Sequence, residues 1–262
     1  MKDWLRQEMD FFPVTETLPE DIFLVSYPKS GNTWFRYLAI GATFGVNPGR
    51  VPPAVLNELS PDVHQQTLYH RFTTPMLIKS HQLPQPEYRR VVYLVRDGRD
   101  ALVSYLHFIR HYENTVVDGL AAARTGAGLG AGQWHQHVEQ WLANPYGADL
   151  LVIRYEDLLR DPVPQLERFC NFAGMARPRD MLEAAVRNSS FENLHQRELC
   201  DNPAMAEKSR DAFFFRRGEA GSHLDELPRE WLNAFEASAR PTLQRLGYDV
   251  EHLAAPPQVR AG

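Results

Sequence analysis

Lys29, Ser30, Gly31, Asn32 and Thr33 stand between an apolar tetrad, Ile22-Phe23-Leu24-Val25, and an amphipathic run that begins at Trp34. Residues of these types at this spacing can hold a tetrahedral anion such as phosphate or sulfate. The first N–H groups of a helix have no intrahelical partner, and the helix dipole favours negative charge there. Lys29 adds a flexible cation, and Ser30 and Thr33 add hydroxyl donors. The pattern G-x-x-x-x-G-K-[ST] occurs nowhere, and the lysine precedes the glycine, so this is not a Walker A loop. Two further junctions carry cations. Lys79-Ser80-His81 follows Met76-Leu77-Ile78, and Arg96 follows Val91-Val92-Tyr93-Leu94-Val95, with Ser104 on the run behind it. Cations at three separate strand ends point to a polyanionic ligand.

The elements that must position these groups can be read from hydrophobic patterning. Short apolar runs at 22–25, 76–79, 91–95 and 149–155 read as buried strands of a parallel sheet. Each is followed by a segment with helical spacing, and this alternation makes an α/β domain in which the carboxyl ends of the strands form the binding edge. Asp97 and Asp100 read as helix-start residues favoured by the dipole. A helix from Gln133 to Ala143 puts Trp134, Val138, Trp141 and Leu142 on one face, so both tryptophans are expected in the core. Residues 162–187 read as helical, punctuated by Gly174 and Pro178. Residues 113–133 hold Gly126, Gly128, Gly130 and Gly132 and are expected to be a mobile loop. Residues 54–75 read as a short helix and a lid-like segment, and Phe213-Phe214-Phe215 as a buried strand or loop wall. Residues 1–20 are expected to form a leading arm on the surface, and 254–262 a flexible tail.

Composition narrows the function classes. In 262 residues, 44% are hydrophobic and the net charge is −5, which argues against general binding to nucleic acid or an anionic membrane and confines any anion site to a local basic pocket. A chain this long buries ~70–75% of its unfolded surface. Cys170 and Cys200 lack metal-ligand spacing, and two thiols in such a chain point to a reducing compartment. There is no signal-peptide pattern and no apolar run of ~20 residues, so a cytoplasmic protein is expected. The pairs His107/His111 and His135/His137 have zinc-like spacing but no third ligand, so no metal is expected.

Taken together, Tyr27-Pro28-Lys29-Ser30-Gly31-Asn32-Thr33-Trp34 resembles the 5′-phosphosulfate loop of the cytosolic-type sulfotransferases, which use 3′-phosphoadenosine 5′-phosphosulfate (PAPS) and release the bisphosphate PAP. Arg96 through Ser104 is similar to their 3′-phosphate motif, Arg216-Arg217-Gly218-Glu219-Ala220-Gly221 to their R-K-G-x-x-G, and Lys79-Ser80-His81 to their K-T-H. Gln133–Val138, Tyr155-Glu156-Asp157 and Ser189-Ser190-Phe191 are weaker echoes. These matches run in order from about residue 22 to 221.

The resemblance implies one domain over 1–262 with the P-loop NTPase-like sulfotransferase fold, a central, mainly parallel β-sheet flanked by helices. It implies His81 as general base, a role that suits an imidazole of unperturbed pKa ~6.5, with Lys29 and Lys79 stabilising the transferring group. Lys29, Ser30, Gly31, Asn32 and Thr33 would cradle the 5′-phosphate. Arg96, Ser104, Arg216, Arg217 and Gly218 would hold the 3′-phosphate, and Trp34, Tyr155, Ser189 and Phe191 the adenine. The acceptor would be a small molecule with a hydroxyl or, less readily, an amine. Three departures stand out. Asn32 replaces a threonine and is expected to leave a donor for phosphate, Arg217 replaces a lysine, and Ser222-His223-Leu224 replaces a tryptophan-containing continuation. The family's dimerisation motif has no match, so the oligomeric state stays open. A P-loop-type small-molecule kinase and a non-catalytic nucleotide-binding protein are the alternative readings.

Overall fold

The computed structural model describes residues 9–71, 73–201 and 213–250. Its centre is a four-stranded sheet in the order β4-β2-β5-β6, formed by β2 (Ile22–Ser26), β4 (Leu77–Ser80), β5 (Arg90–Val95) and β6 (Asp149–Arg154). Every neighbouring pair is parallel. The expected strands are therefore present to within a residue or two. β2 lies between β4 and β5, so the connection from β2 runs to one side of the sheet and that from β5 to the other, and a crevice opens at such a switch point. The register matters more than the order. Val25 faces Ser80 and Tyr93, and Val95 faces Arg154, so four strands end at one level. Lys29, His81, Arg96 and Tyr155 all follow just beyond that level.

Side-chain alternation along each strand divides the core in two. Phe23, Val25, Ile78, Val91 and Tyr93 face one side. They meet α3 (Gly98–His111), α5 (Trp134–Ala143) and α11 (Arg229–Arg245), which bring in Leu102, Trp134, Val138, Trp141, Phe235 and Leu243. Ile22, Leu24, Val92 and Leu94 face the other side. There they meet α1 (Asn32–Phe44), α6 (Tyr155–Arg160), α7 (Pro162–Phe172) and α8 (Arg179–Asn188) through Phe35, Leu38, Leu158, Leu166, Phe169 and Leu182. Both Trp134 and Trp141 are buried, as their helical spacing required.

Two stretches differ from the sequence reading. Within the expected loop at 113–133 lies a helix, α4 (Gly119–Thr125): Asp118 caps it by accepting from the Leu120 and Ala121 amides, and its alanines pack against α11. Here local capping and packing outweigh the glycine content, and 113–118 and 126–133 remain irregular. The segment 54–75 contains α2 (Pro53–Leu59) and β3 (Leu68–His70), and β3 pairs antiparallel with β1 (Phe11–Pro13). The described part of the leading arm is thus tied down by a small sheet. Of the two forms expected for Phe213–Phe215, strand and loop wall, the structure has the second. These residues follow α9 (Phe191–Asp201) as a bent segment whose amides at 214 and 215 donate to the Glu198 carboxylate. Residues 1–8 of the arm and the tail at 254–262 lie outside the described residues. Among the described residues no helix is long and apolar enough to cross a membrane.

Candidate active site

A cavity of about 950 Å³ opens where the parallel strands end. Lys29, Gly31, Asn32, Thr33, Trp34, Lys79, His81, Arg96, Ser104, Tyr155, Phe191, Arg216, Arg217 and Gly218 all line it. These residues come from seven separate stretches of chain. Ser30 and Ser189 are wholly buried and do not line it.

The loop from Ser26 to Gly31 turns sharply into α1. Gly31 sits at φ 88°, in the left-handed region, and an added Cβ would lie 2.5 Å from the Tyr155 ring. Both the conformation and the contact require glycine here. No side chain caps α1, so its first amides face the cavity end with the dipole behind them. Lys29 also has positive φ, at 66°. Its Nζ lies 3.7 Å from the Phe214 ring centroid and 4.5 Å from that of Phe108. Burial, then the charges of Arg96 and Lys79, push its ammonium down to about 7. Asn32 corrects one expectation. Its side-chain amide donates to the carbonyls of Leu24 and Ser80, at 2.9 and 3.1 Å. The donor expected to face phosphate instead ties β2 to β4.

Arg96 donates to the carbonyls of Lys29 at 3.2 Å and Glu219 at 2.9 Å, and its guanidinium lies 4.4 Å from the centre of the Tyr155 ring. Tyr155 meets Trp34 edge to face, and Trp34 Nε1 donates to the Ser189 carbonyl at 2.9 Å. Three of the four expected adenine residues, Trp34, Tyr155 and Ser189, are therefore joined by direct contacts, and Phe191 meets Phe215 edge to face. Gly218 has φ 66° and would put a Cβ 2.6 Å from Phe191. Arg216 and Arg217 both reach Glu226, Arg216 through two nitrogens at 2.6 and 2.9 Å and Arg217 at 3.1 Å. Glu226 shares out the charge of this basic turn, a role the sequence did not signal.

Asp100 does more than favour a helix start. Oδ1 accepts from the His223 amide at 2.9 Å and from His223 Nδ1 at 2.7 Å, and Oδ2 accepts from the Gly221 amide at 2.7 Å. Burial opposes its ionisation, but these bonds and the Arg96 charge bring its carboxyl down to about 2. Asp100 thus joins α3 to the 216–223 turn, and His223 occupies the place where the resemblance led one to expect a tryptophan-containing continuation.

At the other end, His81 Nδ1 is 2.8 Å from the Ser26 carbonyl oxygen. A carbonyl only accepts, so Nδ1 carries the proton and Nε2 keeps its lone pair. Burial and the neighbouring Lys79 charge lower the imidazole to about 3. Lys79 Nζ is held by Asp62 at 2.6 Å, with both side chains buried. His64 Nε2 accepts from the His81 amide at 2.9 Å. Asp62 and His64 belong to the 54–75 segment, which had no recognisable motif. The parallel bridge between Asp62 and Lys79 brings them here. Among the described residues no cluster of side chains could hold a metal ion.

Buried polar atoms indicate what the donor end fits. Ser30 Oγ, Ser189 Oγ and Arg96 Nε have no hydrogen-bond partner. Such groups are rare in folded proteins and call for an explanation. Ser30 and Ser189 lie behind the cavity wall and Arg96 lines it, among helix amides, a lysine and aromatic faces, a combination suited to a nucleotide bearing more than one anionic group.

Fold and site together define an α/β protein with an anion-binding strand–loop–helix unit and a histidine at the adjoining strand end. The chain belongs to the sulfotransferase domain family, whose model matches residues 19–247, and it is a sulfotransferase enzyme. With that membership the kinase and the non-catalytic readings give way. Among its relatives, sulfotransferase 1A1 of Canis lupus familiaris is 26% identical over 225 residues, spanning 78% of this chain and 76% of the relative. Flavonol 3-sulfotransferase of Flaveria bidentis is 27% identical over 248 residues, spanning 83% and 77%. The fold matches that of mouse sulfotransferase SULT7A1, solved in complex with PAP, at a TM-score of 0.66 and 22% identity over 87% of this chain and 85% of that one.

Proposed function

We propose that this sulfotransferase takes PAPS as donor and transfers its sulfuryl group to a hydroxyl, less readily an amine, of a small molecule, with His81 as general base. The observation that carries this reading is the His81–Ser26 hydrogen bond. It leaves an unprotonated Nε2 in the same cavity as Lys29 and Arg96.

When bound, the donor supplies the sulfuryl group. The α1 amides, Lys29 and Thr33 would hold its 5′-phosphosulfate, with Ser30 behind them, while Arg96, Ser104, Arg216, Arg217 and Gly218 would hold the 3′-phosphate. Trp34, Tyr155 and Phe191 would hold the adenine, with Ser189 behind them as the partner of Trp34. The acceptor O–H gives its proton to His81 Nε2 as the oxygen attacks. Lys29 opposes the negative charge that gathers on the departing phosphate, and an anion there raises the ammonium above its value of about 7. Lys79 acts more weakly than a free lysine would, because Asp62 already balances its charge. Catalysis of this kind is mostly positioning and electrostatics. Tyr105, Phe108, Tyr112, Phe214 and Phe215 line the same cavity and suit a partly aromatic acceptor. We also propose that residues 1–262 form one domain that works in the cytoplasm, since helices from both halves of the chain share the sheet.

The test is PAP release from PAPS across a panel of phenols, alcohols and amines, together with calorimetric binding of PAP. Lys29→Ala and His81→Ala should each abolish transfer, and His81→Ala should bind PAP as tightly as the wild type. Wild-type turnover by His81→Ala would overturn the general-base role, and failure of the wild type to bind PAP would overturn the donor.

A further inference from the structure

The Gln133–Val138 echo has no place in the donor cradle, yet it delivers a side chain directly behind the base. His137, on α5, is only 2% exposed. Its Nε2 lies 3.1 Å from the His81 carbonyl oxygen, and its Nδ1 lies 2.9 Å from Tyr93 Oη. The carbonyl can only accept, so Nε2 carries the ring proton and Nδ1 accepts from the Tyr93 hydroxyl. Burial holds the imidazole down to about 4, so the ring stays neutral and its single donor stays aimed at His81. One turn further along α5, Trp141 Nε1 donates to the Gln82 carbonyl at 3.0 Å.

These contacts matter because β4 ends at Ser80. His81 is the first residue past the ladder, and no strand register fixes its main chain. Its Nδ1–H goes to Ser26 on β2, its amide to His64, and its carbonyl to His137. Every polar group of His81 except Nε2 is therefore held, each by a different part of the chain.

We infer that His137 is a positioning residue for sulfuryl transfer: through the His81 carbonyl it fixes where the base stands and where Nε2 points, and Tyr93 sets the His137 tautomer that makes this possible. The inference rests on His81 being the general base. His137 touches neither donor nor acceptor, because it does not line the cavity. Displacement of a catalytic group by about 1 Å can cost roughly 10²-fold in rate.

The test compares wild type, His81→Ala, His137→Phe, His137→Gln and Tyr93→Phe. It measures kcat, KM for PAPS and PAP affinity with the best acceptor from the panel, and reads the His81 tautomer by long-range 1H–15N NMR of the PAP complex. In His137→Phe, kcat should fall by about 10- to 100-fold, while KM for PAPS and PAP affinity stay within about twofold. The wild-type His81 signal should show a single Nδ1–H tautomer, and His137→Phe should show a mixture. His137→Gln should recover much of the rate, because a carboxamide N–H can also donate to a carbonyl. Tyr93→Phe should fall between, and because it conserves shape it carries the test if His137→Phe does not fold. Unchanged kcat and an unchanged His81 signal in both His137→Phe and Tyr93→Phe, with His81→Ala inactive, would overturn the inference alone. Loss of PAP affinity without loss of kcat would assign His137 a merely structural role and overturn it too. Full activity in His81→Ala would instead remove the base on which it rests.

Discussion

Replacing Asp100 by asparagine should loosen the 216–223 turn from the rest of the site. The carboxylate accepts three hydrogen bonds, from the Gly221 amide, the His223 amide and His223 Nδ1. An asparagine can keep the two His223 bonds on its oxygen, but its NH2 group then meets the Gly221 N–H, donor against donor. One charge-assisted bond is lost and a buried donor is left without a partner, which costs about 2–3 kcal/mol. The lowered carboxyl expresses the same bonds as a proton affinity. A shift from 3.8 to about 2 is worth about 2 kcal/mol by linkage. The folded value is depressed, so this stability is present above the unfolded value and is lost as pH falls through the folded one. Thermal unfolding of Asp100→Asn at pH 7 should therefore show a Tm lower by roughly 5–10 °C. PAP affinity should fall too. If binding must reorder the turn that carries Arg216 and Gly218, each ~1.4 kcal/mol of reordering weakens Kd tenfold. Asp100→Asn with wild-type Tm and wild-type PAP affinity would refute the reasoning, because a simple helix-start aspartate would predict only a few tenths of a kcal/mol.

Gly218→Ala should weaken PAP binding by about tenfold or more, since the new Cβ meets the Phe191 ring in a left-handed backbone; a left-handed alanine costs about 1 kcal/mol before the ring moves. Calorimetry reads this, and unchanged affinity would mean that the turn does not touch the ligand. Stability should also fall in mild acid. His137 titrates near 6.5 when unfolded but about 4 when folded, so the unfolded state binds the extra proton and stability is lost as pH drops below the unfolded value. Between pH 7 and 5 this amounts to about 2 kcal/mol. Urea unfolding at the two pH values measures it, and equal slopes for wild type and His137→Phe would contradict it.

The four strands and their order of appearance were legible because each is a short apolar run next to a glycine- or proline-bearing turn. The candidate anion-binding loop was legible for the same reason: Lys29 to Thr33 lie within one contiguous turn, whose chemistry is local. The helix at 119–125 was missed because the surrounding glycines hid an alanine run whose Asp118 cap is decisive. Asn32 was misjudged because its side-chain partners, Leu24 and Ser80, are brought together only by the pairing of β2 with β4.

By itself, then, the sequence determined the alternation of strands and helices, the cation- and glycine-bearing turn before α1 and the histidine at the end of β4, all of which depend on neighbours a few residues apart. The tertiary structure decided how those groups are tuned. It paired Lys79 with Asp62, locked the 216–223 turn to Asp100, stacked His64 beside His81 and placed His137 behind it. Each of these contacts joins residues far apart in the chain, and parallel register alone sets which of them share the sheet edge. Burial then follows from the packing of whole layers, and with it the lowered pKa values of Lys29, His81 and His137. No local pattern carries that information, because the cost of burying a charge depends on everything that surrounds it.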